Sequence, residues 1–356
     1  MGNFAILMAT LKDIRTVSTE EIKKVLQENG EQSFRAKQIE EWLWEKSAHS
    51  FDEMTNLSLK TRQRLGEIFS ILPAKRGNYQ LSHDGTLKTT FVLHDGNIVE
   101  GVLIPKDDRV TACISSQVGC SLTCKFCATG YMERKRNLNA AEIYDQVVHL
   151  RNMSQEHYGL PLTNIVYMGM GEPLLNYQNV LKSTEYILSE KGLNMANRRV
   201  TVSTAGISKM IKKLGDDSVK FNLALSLHAA NDEKRNQIMP INESNSLESL
   251  AEALNYFYDK TGTPPSFEYI VFNNFNDSIQ DAAELFDFWK SVPCRIINII
   301  EYNPIAEADF KNTTKDKLTQ FANYLSDRNV NVQVRRSRGK DIDAACGQLA
   351  NKQKTA

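Results

Sequence analysis

Between residues 110 and 335 the chain alternates short apolar runs with helical stretches, and this alternation restricts the fold more than any other feature. Runs at 165–168, 200–203, 221–227, 267–272, 296–300 and 330–334 read as strands, while 140–153, 177–191 and 247–261 carry helical patterns. Strands separated by helices pair in parallel, because a helical crossover brings the chain back to run in the same direction. The pattern predicts an α/β fold whose sheet is closed or partly closed into a (β/α) barrel. In such a barrel, ligands gather at the carboxyl ends of the strands.

Two other regions precede the barrel. Up to about residue 75 the pattern is helical: Ser18 and Glu21 predict a capping box ahead of Ile22, Val25 and Leu26. Ser33 precedes a second amphipathic stretch with Ile39, Trp42 and Leu43, and Ser58 a third with Leu65, Ile68 and Phe69. From Asn78 the pattern turns β-like. Residues 87–93 and 98–104 read as strands around the turn His94-Asp95-Gly96-Asn97, and 110–115 as a third strand. We therefore expect a small helical domain over 1–77, a β-rich extension over 78–110 and the barrel over 111–356.

The charge balance excludes a purely electrostatic nucleic-acid binder, since 43 basic residues face 43 acidic ones. An apolar content of 41% excludes disorder. The first nine residues hold a short apolar run without a basic leader, and Lys12, Asp13 and Arg15 follow at once. That reads as neither signal peptide nor membrane span, with Met8 as an alternative start. Six cysteines, unevenly spaced, do not make a secreted disulfide scaffold, so a reducing cytoplasm is expected.

Three of the six fall in Cys120-Ser121-Leu122-Thr123-Cys124-Lys125-Phe126-Cys127, a C-x3-C-x2-C loop after a strand. Structural zinc takes four ligands, commonly two C-x2-C pairs, and the sequence has no second pair. A four-iron cluster is normally held by four thiolates. Three would leave one iron open to an outside amine and carboxylate. Zinc and three unrelated core cysteines stay as the alternatives to a cluster.

This spacing, with Phe126 before the last cysteine, resembles the radical S-adenosylmethionine (SAM) superfamily. Met168-Gly169-Met170-Gly171-Glu172-Pro173 after a strand adds to the likeness. Its glycines permit close backbone approach, and Glu172 is suited to accept from an ammonium. The resemblance implies a [4Fe-4S] cluster on Cys120, Cys124 and Cys127, with SAM chelated at the open iron.

A narrower likeness lies in Ser115-Ser116-Gln117-Val118-Gly119-Cys120, in residues 168–176, in Asp341-Ile342-Asp343-Ala344-Ala345-Cys346-Gly347-Gln348-Leu349 and in Phe34-Arg35-Ala36-Lys37-Gln38-Ile39. These resemble the RlmN/Cfr group of radical SAM RNA adenosine methyltransferases. The resemblance implies a partial radical SAM barrel with an accessory amino-terminal domain that docks on RNA. It makes Cys346 the methyl acceptor from one SAM, with a second SAM supplying the radical. Cys113 becomes the resolving cysteine that forms a disulfide with Cys346, and Glu100 the proton acceptor. Gly171, Glu172, Ser203, Ser226, Leu227, His228 and Asn303 become SAM contacts. Implied partners are 23S ribosomal RNA, transfer RNA and a reductant such as flavodoxin or ferredoxin.

Read alone, each of these residues has a plainer explanation. Cys113 on a strand is ordinarily a buried small hydrophobe, Glu100 a solvated strand carboxylate and His228 a satisfied structural histidine. Arg335, Arg336, Arg338 and Lys340 are placed to lower the Cys346 thiol pKa, against Asp341 and Asp343. Cys294 reads as core, and Glu301 has no assigned role. Arg134-Lys135-Arg136, Arg198-Arg199 and the 335–340 stretch are candidate RNA contacts. Pro173 after Glu172 favours carbon 2 of adenosine over the carbon 8 of Cfr-type enzymes. A metal-bound RNA-binding protein without catalysis is the rival class.

Overall fold

The structure, a computed structural model, describes residues 11–351. The readings of residues 1–9 and of Met8 lie outside the described residues. Three helices come first: α1 (Thr19–Glu28), α2 (Arg35–Glu40) and α3 (Leu59–Ile68). Ser18 Oγ accepts from the Glu21 amide (3.2 Å), so half of the expected capping box forms. The other half does not, because the Glu21 carboxylate pairs with Lys12 at 3.3 Å instead. α2 continues as a wider π turn over Glu41–Glu45, which buries Leu43 and Trp44. Phe69 leaves its helix, and Phe69–Ser70 pair in parallel with Lys12–Asp13.

This helical unit packs on α4 (Ala140–Tyr158) and α5 (Tyr177–Leu188). Trp44 stacks on Tyr186 of α5 at 3.6 Å and meets Tyr144 of α4 edge-on at 5.2 Å. Arg15 lies buried between Asp13 (3.0 Å) and Asp145 (2.7 Å). The same carboxylates accept from the amides of Leu72 (3.2 Å) and Ala74 (2.9 Å). Arg15→Ala would leave two buried carboxylates without their cation, so we expect a loss of about 3–5 kcal/mol. Urea unfolding checks this, and a loss below about 1 kcal/mol would contradict it.

Ten strands form one sheet in which spatial order equals chain order. They are β1 (Lys75–Leu81), β2 (Leu87–Val92), β3 (Ile98–Lys106), β4 (Arg109–Cys113), β5 (Asn164–Tyr167), β6 (Val200–Thr204), β7 (Asn222–Ser226), β8 (Ser266–Val271), β9 (Ile296–Glu301) and β10 (Val332–Arg335). β1 to β4 are antiparallel hairpins. β4 to β10 run parallel, joined by α4, α5, α6 (Ser208–Asp216), α7 (Asp232–Ile238) with α8 (Leu247–Thr261), α9 (Ile279–Lys290) and α10 (Lys315–Ser326). The expected partial barrel is present. Buried runs such as Leu223-Ala224-Leu225 and Phe267 with Tyr269 are what a parallel sheet covered by helices requires. β1 and β10 are the two edges, so the barrel keeps a seam between β4 and β10.

The segment after β10 adds no strand. It crosses back to the antiparallel hairpins, where Asp341 accepts from Ser82 Oγ (2.5 Å) and Lys88 donates to the Asp343 carbonyl (3.3 Å). Asn351 Nδ2 donates to the Ile98 carbonyl at 2.6 Å. Among the described residues no helix is long and apolar enough to cross a membrane.

Candidate active site

The cysteine loop runs between β4 and α4 over an apolar floor that includes Phe126, Ile238, Met239, Ile270, Phe272 and Tyr302. Two glycines shape it. Gly119 has φ +76°, and a Cβ there would meet the Glu133 carbonyl at 2.1 Å. Gly171 has φ +96°, and a Cβ would meet Gln117 at 2.5 Å, so neither position tolerates a side chain. Gln117 in turn accepts from the Glu172 amide at 2.8 Å and fixes the turn after β5 beside the loop.

Cys120, Cys124, Cys127, Gly171, Glu172, Ser203, Ser226 and His228 all line one pocket. Ser203 and Ser226 end adjacent parallel strands, and their hydroxyls are 3.2 Å apart. His228 Nδ1 accepts from the Ile270 amide at 3.1 Å. Burial and then the Arg235 charge drive the His228 pKa down to about 3, so the ring is neutral with its proton on Nε2. Glu172 accepts from the amides of Leu174 (3.0 Å) and Ala205 (2.8 Å), which leaves carboxylate lone pairs for a further donor.

Leu227 and Asn303 do not line this pocket. Leu227 is fully buried, and its amide donates to the Glu268 carbonyl at 3.0 Å. Asn303 Nδ2 instead holds the Cys346 carbonyl at 3.1 Å, while its buried Oδ1 has no partner.

Do these residues fit a cluster and SAM? Burial pushes the Cys120 thiol up to about 11 and raises Cys124 and Cys127 as well. Three neutral thiols crowded against apolar side chains are the donors that a cationic iron–sulfur centre deprotonates on binding. Among the described residues no three Cys, His, Asp or Glu side chains are drawn together as ligands of one metal ion. A cluster asks for a different spacing, since three thiolates bind three different irons. Glu172 and the two serines supply acceptors for an amino-acid ligand next to those thiols. The residues fit both groups.

A second cavity, about 1070 Å³ in volume, meets the first at Cys127, Cys346 and Gly347. Cys113, at the end of β4, lines it together with Cys346. Both are free thiols. Burial and then the proximity of Cys346 raise the Cys113 pKa. Cys346 is exposed, but into space walled by protein, and desolvation raises its pKa against the pull of Arg335. The expected lowering by four nearby cations is therefore corrected. Arg338 is spent on Asp84 (3.6 Å), Lys340 on Glu301 (2.9 Å) and Arg335 partly on Glu268 (3.2 Å). The Lys340 pair also gives Glu301 a role: it anchors the carboxy-terminal segment.

That segment is fastened to the cysteine loop itself. Ala128 donates its amide to the Gly347 carbonyl (2.7 Å), and Thr129 its hydroxyl to the Leu349 carbonyl (2.6 Å). Glu100 lines neither cavity. It is wholly buried rather than solvated, and its Oε2 accepts from the amides of Ala350 (2.9 Å) and Asn351 (3.1 Å). The Lys88 ammonium stands 3.4 Å from Oε1.

Sequence reading passed over Arg235. Fully buried, it donates to the carbonyls of Ala205 (2.5 Å), Ser226 (3.2 Å) and Leu227 (3.0 Å), stapling the ends of β6 and β7 where the pocket forms. An arginine within Asp232-Glu233-Lys234-Arg235 gives no sign of burial. In each of two basic stretches one arginine is engaged within the protein. Arg136 is taken by Asp95 (2.6 Å) and Glu142 (2.8 Å), and Arg199 reaches Asn164 (3.2 Å) at the amino ends of the strands.

Comparison with known proteins agrees with this architecture. Residues 12–71 match the ribosomal RNA large subunit methyltransferase N-terminal domain, and residues 114–286 match the radical SAM superfamily. The probable dual-specificity RNA methyltransferase RlmN of Cytophaga hutchinsonii is 63% identical, covering 96% of this chain and 93% of that one. The probable dual-specificity RNA methyltransferase RlmN of Christiangramia forsetii is 53% identical, covering 96% and 97%. A crystal structure of a radical SAM methyltransferase from Sphaerobacter thermophilus superposes with a TM-score of 0.87 at 37% identity, covering 95% of this chain and 99% of that one. The likeness thus runs over nearly the whole length, from the helical unit through the partial barrel: the chain belongs to the RlmN family of radical SAM RNA methyltransferases.

Proposed function

We propose that the enzyme methylates carbon 2 of an adenosine in 23S ribosomal RNA, and of an adenosine in some transfer RNAs, by way of an S-methylated Cys346. The observation that carries this is the position of Cys346, at the meeting of a pocket suited to SAM and a larger cavity open to substrate. An adenine C–H carbon is electron-poor, so direct transfer of an electrophilic methyl group to it is mismatched. A sulfur that first accepts the methyl and then carries it as a radical removes the mismatch.

Cys346 takes a methyl group from one SAM as a thiolate. The cluster, when bound, supplies the electron that cleaves a second SAM to a deoxyadenosyl radical. Hydrogen abstraction from the S-methyl group of Cys346 lets its carbon add to the adenine ring, joining protein to RNA. The ring radical so formed gives one electron back to the oxidised electron source, and Glu100 takes the ring proton. Cys113, as a thiolate, then attacks the Cys346 sulfur to form a disulfide, and the bond from that sulfur to the methylene carbon breaks. This carbon takes up a proton to become the methyl group of the released product. The support for Cys113 is that it shares the cavity with Cys346. The support for Glu100 is its bond to the same carboxy-terminal segment, so movement of that segment exposes the carboxylate.

The helical domain through residue 77 docks on folded RNA, the β-rich extension over 78–110 carries Glu100, and the barrel from 111 onward holds the chemistry. A cytoplasmic flavodoxin or ferredoxin supplies electrons. Pro173 after Glu172 supports carbon 2. The test is anaerobic reconstitution followed by mass spectrometry of the product nucleoside from both RNAs against 2-methyl and 8-methyl adenosine standards. The 2-methyl product is expected; the 8-methyl product would overturn the position, and failure to cleave SAM would overturn the enzyme.

A further inference from the structure

We propose that RNA reaches Cys346 as an unpaired strand entering through the seam between β4 and β10, its phosphates held by Lys106, Arg109 and Arg336. The inference rests on the proposed function only in taking RNA as the substrate.

The large cavity follows this seam. One wall comes from β3, β4 and β5, the other from β9, β10 and the residues after β10, with Cys113 and Cys346 both on the lining. Its walls carry Lys106, Arg109, Arg295, Arg335, Arg336 and Arg338, and no aspartate or glutamate. In a chain with equal numbers of basic and acidic residues, so one-sided a wall marks a site for a polyanion.

The state of these cations narrows the site. Arg335 and Arg338 are engaged by Glu268 and Asp84. Arg295 has only a 3.5 Å contact with Asn222. The side chains of Lys106, Arg109 and Arg336 have no hydrogen-bond or ion-pair partner among the described residues. Lys106 and Arg109 are moreover direct cross-strand partners in the β3–β4 ladder. Like charges facing each other there destabilise the sheet. The turn that joins them, Asp107-Asp108, contributes nothing to the wall. Protection of a sheet edge explains charges on β10, but β3 and β4 are interior strands. A ligand phosphate between the pair would relieve the repulsion.

Depth selects the form of the RNA. The reacting sulfur stands where this cavity of about 1070 Å³ meets the pocket of the cysteine loop, and that volume has no room for a stacked, paired helix. One nucleotide must be splayed out of its stack to reach it, with flanking phosphates left along the walls. A groove of unpaired cations leading to a base pocket is the usual arrangement for single-stranded nucleic acid.

The test measures binding of full-length protein to a single-stranded RNA of about 12 nucleotides and to a duplex of the same length, across salt concentrations. The triple variant Lys106→Gln, Arg109→Gln, Arg336→Gln should flatten the slope of log affinity against log salt by about 0.7 per lost contact. With three contacts, that corresponds to about 100-fold weaker single-strand binding at 0.1 M salt. Lys106→Arg, which keeps the charge, should keep the slope, as should Lys209→Gln on the exposed face of α6. An unchanged slope in the triple variant overturns the proposal, as does an equal loss for the duplex. Methylation of Cys346 by SAM alone, without RNA, reads the proposed function separately. If Cys346 stays unmethylated while the triple variant loses its slope, that reading fails and the entry route stands.

Discussion

In Cys113→Ala a covalent protein–RNA adduct is expected to accumulate during turnover, with free methylated RNA falling at least about 100-fold, an effect the size of losing a catalytic nucleophile. The thiol of Cys113 shares the large cavity with Cys346, and burial, then the neighbouring Cys346, disfavours its ionisation. Deleting it removes the group that attacks the Cys346 sulfur, while methyl acceptance and radical addition go on. The substitution takes little from the fold, because Cys113 is one small side chain lining a cavity. Denaturing gels and mass spectrometry of the reaction read the adduct directly. Free turnover without it would show that the joined state resolves by another route.

Cys346→Ala is expected to abolish methylation altogether and to form no adduct. The contacts that place this residue are main-chain ones: Asn303 on its carbonyl and Ala128 on the carbonyl of Gly347. The segment therefore keeps its seat when the sulfur is removed, and SAM binding to the neighbouring pocket should persist. Loss of product with retained SAM affinity is the expected pair of results. A variant that still methylates RNA would remove Cys346 from the acceptor role. Together the two substitutions divide the reaction at its covalent step, because one stops before the joined state and the other after it.

The barrel strands were legible from the sequence because parallel strands covered by helices are apolar on both faces. The runs at 200–203 and 296–300 reappear as β6 and β9. The turn at His94-Asp95-Gly96-Asn97 was legible for a local reason: Gly96 supplies the positive φ that a tight hairpin needs. The cysteine loop and the glycine turn were legible because their spacing is itself the chemistry. What escaped depends on contacts made across great sequence distance. Nothing near Glu100 announces that amides 250 residues later will bind it. Arg235 looks like a solvated helix residue until the strand ends it staples are in place. The direction of the Cys346 pKa was misread for a related reason. A charge count along the chain cannot see that Arg338 and Lys340 are held by carboxylates of their own.

A sheet whose strands lie in the order they are synthesised closes mostly through short-range steps, each strand settling beside the one made just before it. Residues 340–351 break that rule, since they must travel back to β2 and β3 to be fastened. On a growing polypeptide, the wall that guards the reactive sulfur can be finished well before the sulfur itself emerges. Cys346 is thus delivered only after the strands that enclose it.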